Sequence, residues 1–192
     1  MLIDRKKAIA YMALLMTGVF VFTSVKWLLH VRGIDLRSLA KKKQLINELT
    51  ETIIPRTDTP GAKDANVADF IISMVTSGLP KTEQWTFLLG LEDVDKYSIR
   101  HFGEVFLKCS VAQRTKVLRY FERSEWVGPR LVQKIRNKLL GRSFFTLFRW
   151  LTVLGYCSSE AGATKALSYD FIPEVYKGCV PLEIGQKAWA IQ

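Results

Sequence analysis

Pro55, Pro60 and Gly61 stop any helix or strand from running unbroken through residues 53–70, so the chain must change direction there. The stretch reads Ile-Ile-Pro-Arg-Thr-Asp-Thr-Pro-Gly-Ala-Lys-Asp-Ala-Asn-Val-Ala-Asp-Phe and lies between two apolar patterns of helical period. Pro55 lacks an amide donor and ends the helix before it. Pro60 supplies a fixed φ and Gly61 a permissive one for a tight turn, while Asp58, Asp64 and Asn66 carry short acceptors that can cap neighbouring amides. The backbone is therefore expected to hold one shape. Taken alone, such a segment reads first as a rigid interhelical connector and second as a recognition surface.

The flanking patterns are helical. Leu36, Leu39, Ile46, Leu49 and Ile53 recur at three- and four-residue steps, predicting a helix over 36–54 with Asp35 as its N-cap and Pro55 as its stop. Asn66 is expected to start a helix over 67–77 with Phe70, Ile71, Met74 and Val75 inward, closed by Gly78-Leu79-Pro80. Two short helices should follow, one capped by Thr82 and ending at Leu91, the next over 98–107. Ser110 should cap a helix over 111–121 with Val117, Leu118 and Phe121 inward. The longest pattern runs over 131–156 and should bend at Gly141, where glycine costs about 1 kcal/mol relative to alanine. Phe144, Phe145, Phe148 and Trp150 within it read as core rather than as a cofactor box. Strand alternation and internal repeats are absent from the sequence. The predicted fold class is all-α: a helical bundle with an N-terminal transmembrane or signal-anchor helix and an extended C-terminal tail.

That N-terminal helix is read from residues 8–25, which carry no charge and follow Arg5-Lys6-Lys7. At 1.5 Å per residue the run spans about 27 Å, the thickness of a bilayer's hydrocarbon layer. A cleaved export signal has a shorter apolar region and a small-x-small site, whereas Thr23-Ser24-Val25 before Lys26-Trp27 is a poor site. An uncleaved anchor, touching the membrane through residues 8–29, is preferred. The expected domains are thus 1–33 as anchor and 34–192 as a helical domain, large enough for one hydrophobic core and no more.

Catalytic residues do not assemble from the sequence. His30 and His101 are the only histidines, no glycine-rich phosphate loop exists, and Cys109, Cys157 and Cys179 lack the close pairing of a haem or zinc motif. No catalytic, metal or cofactor-binding residue is assigned. Arg56, Asp58 and Asp64 read as caps and an ion pair that fix the loop rather than as acid–base groups. The net charge of +10 is spread from Arg5 to Lys187 without a nucleic-acid module, so lipid headgroups or an acidic partner explain it better than nucleic acid. Lys41-Lys42-Lys43 reads as a solvated turn or a headgroup contact. Cys157 and Cys179 can pair if the domain faces an oxidising compartment; Cys179 bridging to another subunit and three reduced thiols remain the alternatives.

A second segment reads Gly155-Tyr156-Cys157-Ser158-Ser159-Glu160-Ala161-Gly162-Ala163, then Leu167-Ser168-Tyr169, then Ile172-Pro173-Glu174-Val175-Tyr176-Lys177-Gly178-Cys179-Val180-Pro181-Leu182. Together with residues 53–70, this ordered pattern closely resembles the gluconate 2-dehydrogenase subunit 3 family, the small accessory subunits of membrane-bound FAD-dependent sugar dehydrogenases. The resemblance spans roughly residues 36–189. It implies a non-catalytic subunit that binds, stabilises and membrane-tethers a large flavin subunit of the glucose-methanol-choline type, which holds FAD. It also allows a cytochrome subunit carrying haem c. The alternative is a free-standing membrane-anchored scaffold or maturation chaperone.

Candidate partner contacts in the loop are Arg56, Thr57, Asp58, Pro60, Gly61 and Asp64. Further along they are Tyr156, Glu160, Tyr169, Tyr176, Cys179, Val180 and Pro181, because a tail that prolines keep from being helical must bury its large apolar groups against something. Members of the family often carry a twin-arginine export signal, whereas this chain has Arg5-Lys6 at that place. Lys and Arg counting puts the domain on the cytoplasmic side. The resemblance puts it on the periplasmic face of a bacterial inner membrane, and is preferred.

Overall fold

In the computed structural model the chain divides into two units, Met1–Asp35 and Leu36–Gln192. The structure describes residues 36–125, 141–169, 179, 181 and 184–190. The uncharged run at 8–25, the Asp35 cap, the first part of the 131–156 pattern and most of the tail, including Tyr176 and Val180, lie outside the described residues.

Six α-helices are described: α1 (Arg37–Lys41), α2 (Lys43–Ile53), α3 (Val67–Ser73), α4 (Lys81–Phe102), α5 (Val111–Glu125) and α6 (Phe144–Cys157). Wide single turns follow α3 at Met74–Gly78 and α6 at Gly162–Ala166, and a 3₁₀ turn at Phe106–Lys108 precedes α5. The described residues form no strand, only an isolated parallel bridge between Ser168 and Trp189. The all-α class is as expected. No described helix is long and apolar enough to cross a membrane.

The first helix is interrupted at Lys42, where φ −91° and ψ 6° leave the helical well, so α1 and α2 replace the single helix expected over 36–54. Their shared stripe is nevertheless the predicted one, with Leu39, Ile46 and Leu49 fully buried. Ile54 turns extended ahead of Pro55, as sterics before a proline require. Asn66 does start α3, but through its backbone: it adopts the left-handed conformation at φ 52°, and its side chain makes no capping bond.

The larger correction is α4. Where two short helices were expected, one helix of 22 residues runs from Lys81 to Phe102, its N-cap Pro80 rather than Thr82. Gly90 in its middle acts as a packing site and not as a breaker. A Cβ there would lie 2.0 Å from Cγ of Phe144, so only glycine lets α6 approach α4 this closely. Gly155 plays the same part between α6 and α3, since its Cβ would meet Phe70 Cδ1 at 2.6 Å. Around Gly90 the rings of Phe87, Phe144 and Phe148 meet at 5.7–5.9 Å between centroids, and Phe121 of α5 joins Phe144 at 5.9 Å. Each such ring buried adds about 1.5–3 kcal/mol. This aromatic cluster is the centre of the core.

Ser110 starts α5 as expected, and Gln113 completes the exchange. Ser110 N donates to Gln113 Oε1 at 2.8 Å while Gln113 N donates to Ser110 Oγ at 3.4 Å, the reciprocal pair of a capping box. Gly141 does not bend a helix: at φ 82° it stands outside α6, whose N-cap is Ser143. Beside it Arg142 grips Glu83 of α4 through two side-chain bonds of 3.0 Å and lies over the Trp150 ring at 4.3 Å. Trp150, expected in the core with Phe144, Phe145 and Phe148, is instead 41 % exposed beneath that guanidinium, while the three phenylalanines are buried. The Arg142 hydrogen bonds, against an opposing cost of burial, hold the Glu83 carboxyl below its usual range.

Candidate partner-binding site

The loop between α2 and α3 is fastened from both sides. Glu51, in the last turn of α2, accepts from Arg56 N at 2.9 Å through one oxygen and from Lys63 N at 3.0 Å through the other. One carboxylate thereby clamps both limbs of the loop. A carboxylate near a helix C-terminus faces the negative end of the helix dipole, and its two amide partners are what offset that placement. Gly61 passes beneath this clamp, where a Cβ would sit 2.5 Å from Glu51 Oε1 and 2.7 Å from Arg56 N. Ala62 N reaches Ile54 O at 3.0 Å, closing the base of the loop.

Asp64 caps Gly61 N at 3.1 Å and pairs with Arg56 Nε at 3.7 Å, which is the fixing role expected of both. Asp58 accepts from the Thr57 hydroxyl at 2.9 Å. That bond, with backbone amides and the positive charge of Lys187, keeps the Asp58 carboxyl below its usual range although it is fully exposed. Lys63 Nζ donates to Glu48 Oε1 at 2.6 Å, and Arg114 of α5 donates to the other oxygen of Glu48. Arg114 also caps the Leu107 carbonyl at 2.7 Å. Burial works to raise the Glu48 pKa, but the Lys63 hydrogen bond and the Arg114 charge outweigh it and the net shift is downward.

The second sequence segment meets the first here. Tyr156, near the end of α6 and only 6 % exposed, donates its hydroxyl to Pro60 O at 2.6 Å across 96 residues of sequence. Beyond it the chain turns sharply: Ser159 Oγ donates to Tyr156 O at 2.7 Å and accepts from Gly162 N at 3.0 Å. A Cβ on Gly162 would stand 1.9 Å from Tyr156 O, so the turn needs glycine. It carries Ala161 and Lys165 to the loop, and an open cleft of about 340 Å³ forms between Arg56, Thr57, Asp58, Thr59, Pro60 and Asp64 on one side and those two residues on the other.

Of the predicted contact residues, Arg56, Thr57, Asp58, Pro60 and Asp64 therefore line one cleft, while Gly61 and Tyr156 are buried supports beneath it. Glu160 is exposed on the adjoining turn and Tyr169 is exposed further along. Cys179 and Pro181 are exposed, and the structure brings neither to the cleft lining. Cys109 is buried and Cys157 half-buried; these two and Cys179 are free thiols, with no bridge between Cys157 and Cys179. Sequence reasoning missed Glu51, Glu48, Arg114 and Lys165. A signal for Glu51 was present, an acidic residue in the last helical turn, where acids are disfavoured. No group of three or more His, Cys, Asp or Glu among the described residues is placed to hold a metal.

These features define an all-α domain whose most elaborate surface is a loop of fixed backbone, with its charged side chains turned to a cleft. Residues 40–173 match the family model described as Gluconate 2-dehydrogenase subunit 3, and the chain belongs to that family. The match takes in the loop and the Tyr156–Tyr169 stretch and ends before Tyr176, Cys179, Val180 and Pro181. No curated protein and no solved structure matches the chain. By its name the family supplies one subunit of a dehydrogenase assembled from several.

Proposed function

We propose that this chain is the accessory subunit of a membrane-bound, FAD-dependent sugar or polyol dehydrogenase, binding and stabilising a flavin subunit of the glucose-methanol-choline type. Family membership over residues 40–173 supports this reading, and one geometric observation carries it further: the two marker segments converge on a single cleft. Their buried members fix the backbone and their exposed members are left for a partner. FAD, in this reading, resides in the partner and supplies hydride removal there. The residues of this chain contribute shape, cover and charge, and none is assigned to the reaction. Residues 8–29 provide the tether, the domain lies on the periplasmic face of the inner membrane, and electrons leave through a subunit carrying haem c.

The test is purification of the tagged full chain from its native membranes in mild detergent, followed by an absorbance spectrum and mass analysis of what accompanies it. A flavin spectrum with a large flavoprotein subunit is the expected result. A folded, colourless chain recovered alone would overturn the reading.

A further inference from the structure

The cleft holds charges of both signs, and the two signs are not equally spent. Its carboxylates are committed. Asp64 accepts from Gly61 N at 3.1 Å, and Asp58 accepts from the Thr57 hydroxyl at 2.9 Å as well as from its own amide and that of Thr59. Its cations are not. Arg56 approaches Asp64 only to 3.7 Å, its side chain is 75 % exposed, and its guanidinium makes no hydrogen bond among the described residues. Lys165 is exposed on the opposite wall, and its ammonium meets no carboxylate among the described residues. Lys187 adds a further positive charge beside them: its Nζ donates to Lys165 O at 2.6 Å and its charge acts on Asp58.

Unused hydrogen-bonding capacity decides what such a cleft attracts. A carboxylate already facing amides and a hydroxyl offers little to a visiting cation, whereas a guanidinium and an ammonium turned to solvent keep most of their N–H donors for an incoming acceptor. The net charge of +10 on the chain favours an anion in the same sense. At about 340 Å³ and open to solvent, the cleft suits a short stretch of peptide better than an enclosed small molecule. A bilayer fits less well, because a sheet of anionic headgroups would also press on Asp58 and Asp64. A single carboxylate carried on a chain can approach Arg56 and Lys165 without doing so.

We infer that the cleft receives an acidic segment of the flavin subunit, whose carboxylate is held between Arg56 on the loop wall and Lys165 on the opposite wall. The inference rests on the accessory-subunit reading and adds the chemistry of the contact. Arg56 supplies a planar fork that fixes the orientation of the carboxylate, and Lys165 supplies a point charge from across the cleft. Attraction between exposed charges is screened by salt, so the contact weakens as ionic strength rises.

The experiment co-purifies the full chain and its K165E, R56Q and K116E variants with the flavoprotein in mild detergent, at low and at high salt. Lys116 is an exposed cation of α5 outside the cleft, so K116E controls for net charge. Flavin absorbance per chain is read together with far-ultraviolet circular dichroism. A carbodiimide, which joins a lysine to a carboxylate only where the two touch, is followed by mass spectrometry. Expected are a roughly tenfold loss of flavin for K165E, a smaller loss for R56Q and almost none for K116E, all with unchanged helicity. Wild type should lose more flavin on raising salt than K165E does, and Lys165 should be found linked to an Asp or Glu of the flavin subunit. Wild type carrying flavin while K165E carries as much, or K165E and K116E losing it equally, would overturn this inference and leave the accessory-subunit reading standing. So would phosphatidylglycerol vesicles bound by wild type and not by K165E while both keep flavin, which would assign the cleft to headgroups. A wild-type chain without flavin would remove both. If K165E loses helicity, Lys165→Gln and the cross-link decide, a link to the flavin subunit supporting the contact and its absence rejecting it.

Discussion

The aromatic cluster between α4 and α6 and the loop between α2 and α3 reach order by opposite means. In the cluster, Phe87, Phe144 and Phe148 are held by one another and by the absence of a side chain at Gly90. In the loop there is little apolar surface to bury, and Glu51, Asp64 and Tyr156 hold backbone groups one at a time. The first arrangement consumes its side chains in packing. The second fixes the backbone with residues from beneath and leaves Arg56, Thr57 and Asp58 exposed. A surface that recognises another molecule can be built the second way but not the first.

If this contrast is right, substitutions should rank accordingly. Phe148→Ala is expected to cost about 3–5 kcal/mol, read as the midpoint of chemical unfolding, because a fully buried ring leaves a cavity. Gly90→Ala should follow at about 1–3 kcal/mol or more, since the added methyl meets the Phe144 ring and either helix must shift. Glu51→Ala should cost about 1–2 kcal/mol; its amides can be reached by water, and the sharper signature is faster hydrogen exchange at Arg56 and Lys63 with α4 and α6 unchanged. A uniform rise in exchange across all helices would show that the clamp belongs to the core after all. Tyr156→Phe should cost about 1 kcal/mol by removing the bond to Pro60 O while keeping the ring. Lys165→Ala should change stability by less than about 0.5 kcal/mol, its effect appearing in partner binding alone.

Acid tests the charged ties at the edges of both regions. Glu83 and Glu48 titrate below their ordinary value of 4.5 in the folded chain, so the stability they add is present above that value and is lost as pH falls below it toward the folded pKa. Glu83→Gln should therefore flatten the unfolding midpoint between pH 5 and about pH 3, where the wild type declines. An unchanged slope would show that the Arg142 pair contributes nothing to it.

Much of this was legible in residue order. The apolar stripes of α1, α2 and α5, the Ser110 cap, the Pro55 stop and the fixed loop all follow from local chemistry that sequence displays directly. What escaped were features whose cause lies far along the chain. Gly90 resembles a helix breaker until Phe144, 54 positions on, is seen against it. Arg142 and Glu83 lie 59 residues apart, and Arg114 and Glu48 lie 66 apart, so neither pair leaves a spacing that could be read. Tyr156 and Pro60 were both singled out as surfaces for a partner; Tyr156 is buried and holds the Pro60 carbonyl from beneath, while Pro60 lines the cleft. Marker residues in an ordered motif can thus support a site from below as readily as they can form it.

The Tyr156–Pro60 bond also sets a timetable. Ribosomes add about 5–20 residues per second, so Pro60 waits roughly 5–20 s for Tyr156 to be made 96 residues later. Through that interval Glu51, only five positions before Arg56, can already clamp the loop, while its tie to α6 and the whole far wall of the cleft do not yet exist. The two-sided cleft is thus missing from any nascent or truncated chain that stops short of Lys165, so a partner needing both walls would meet only chains made past that point.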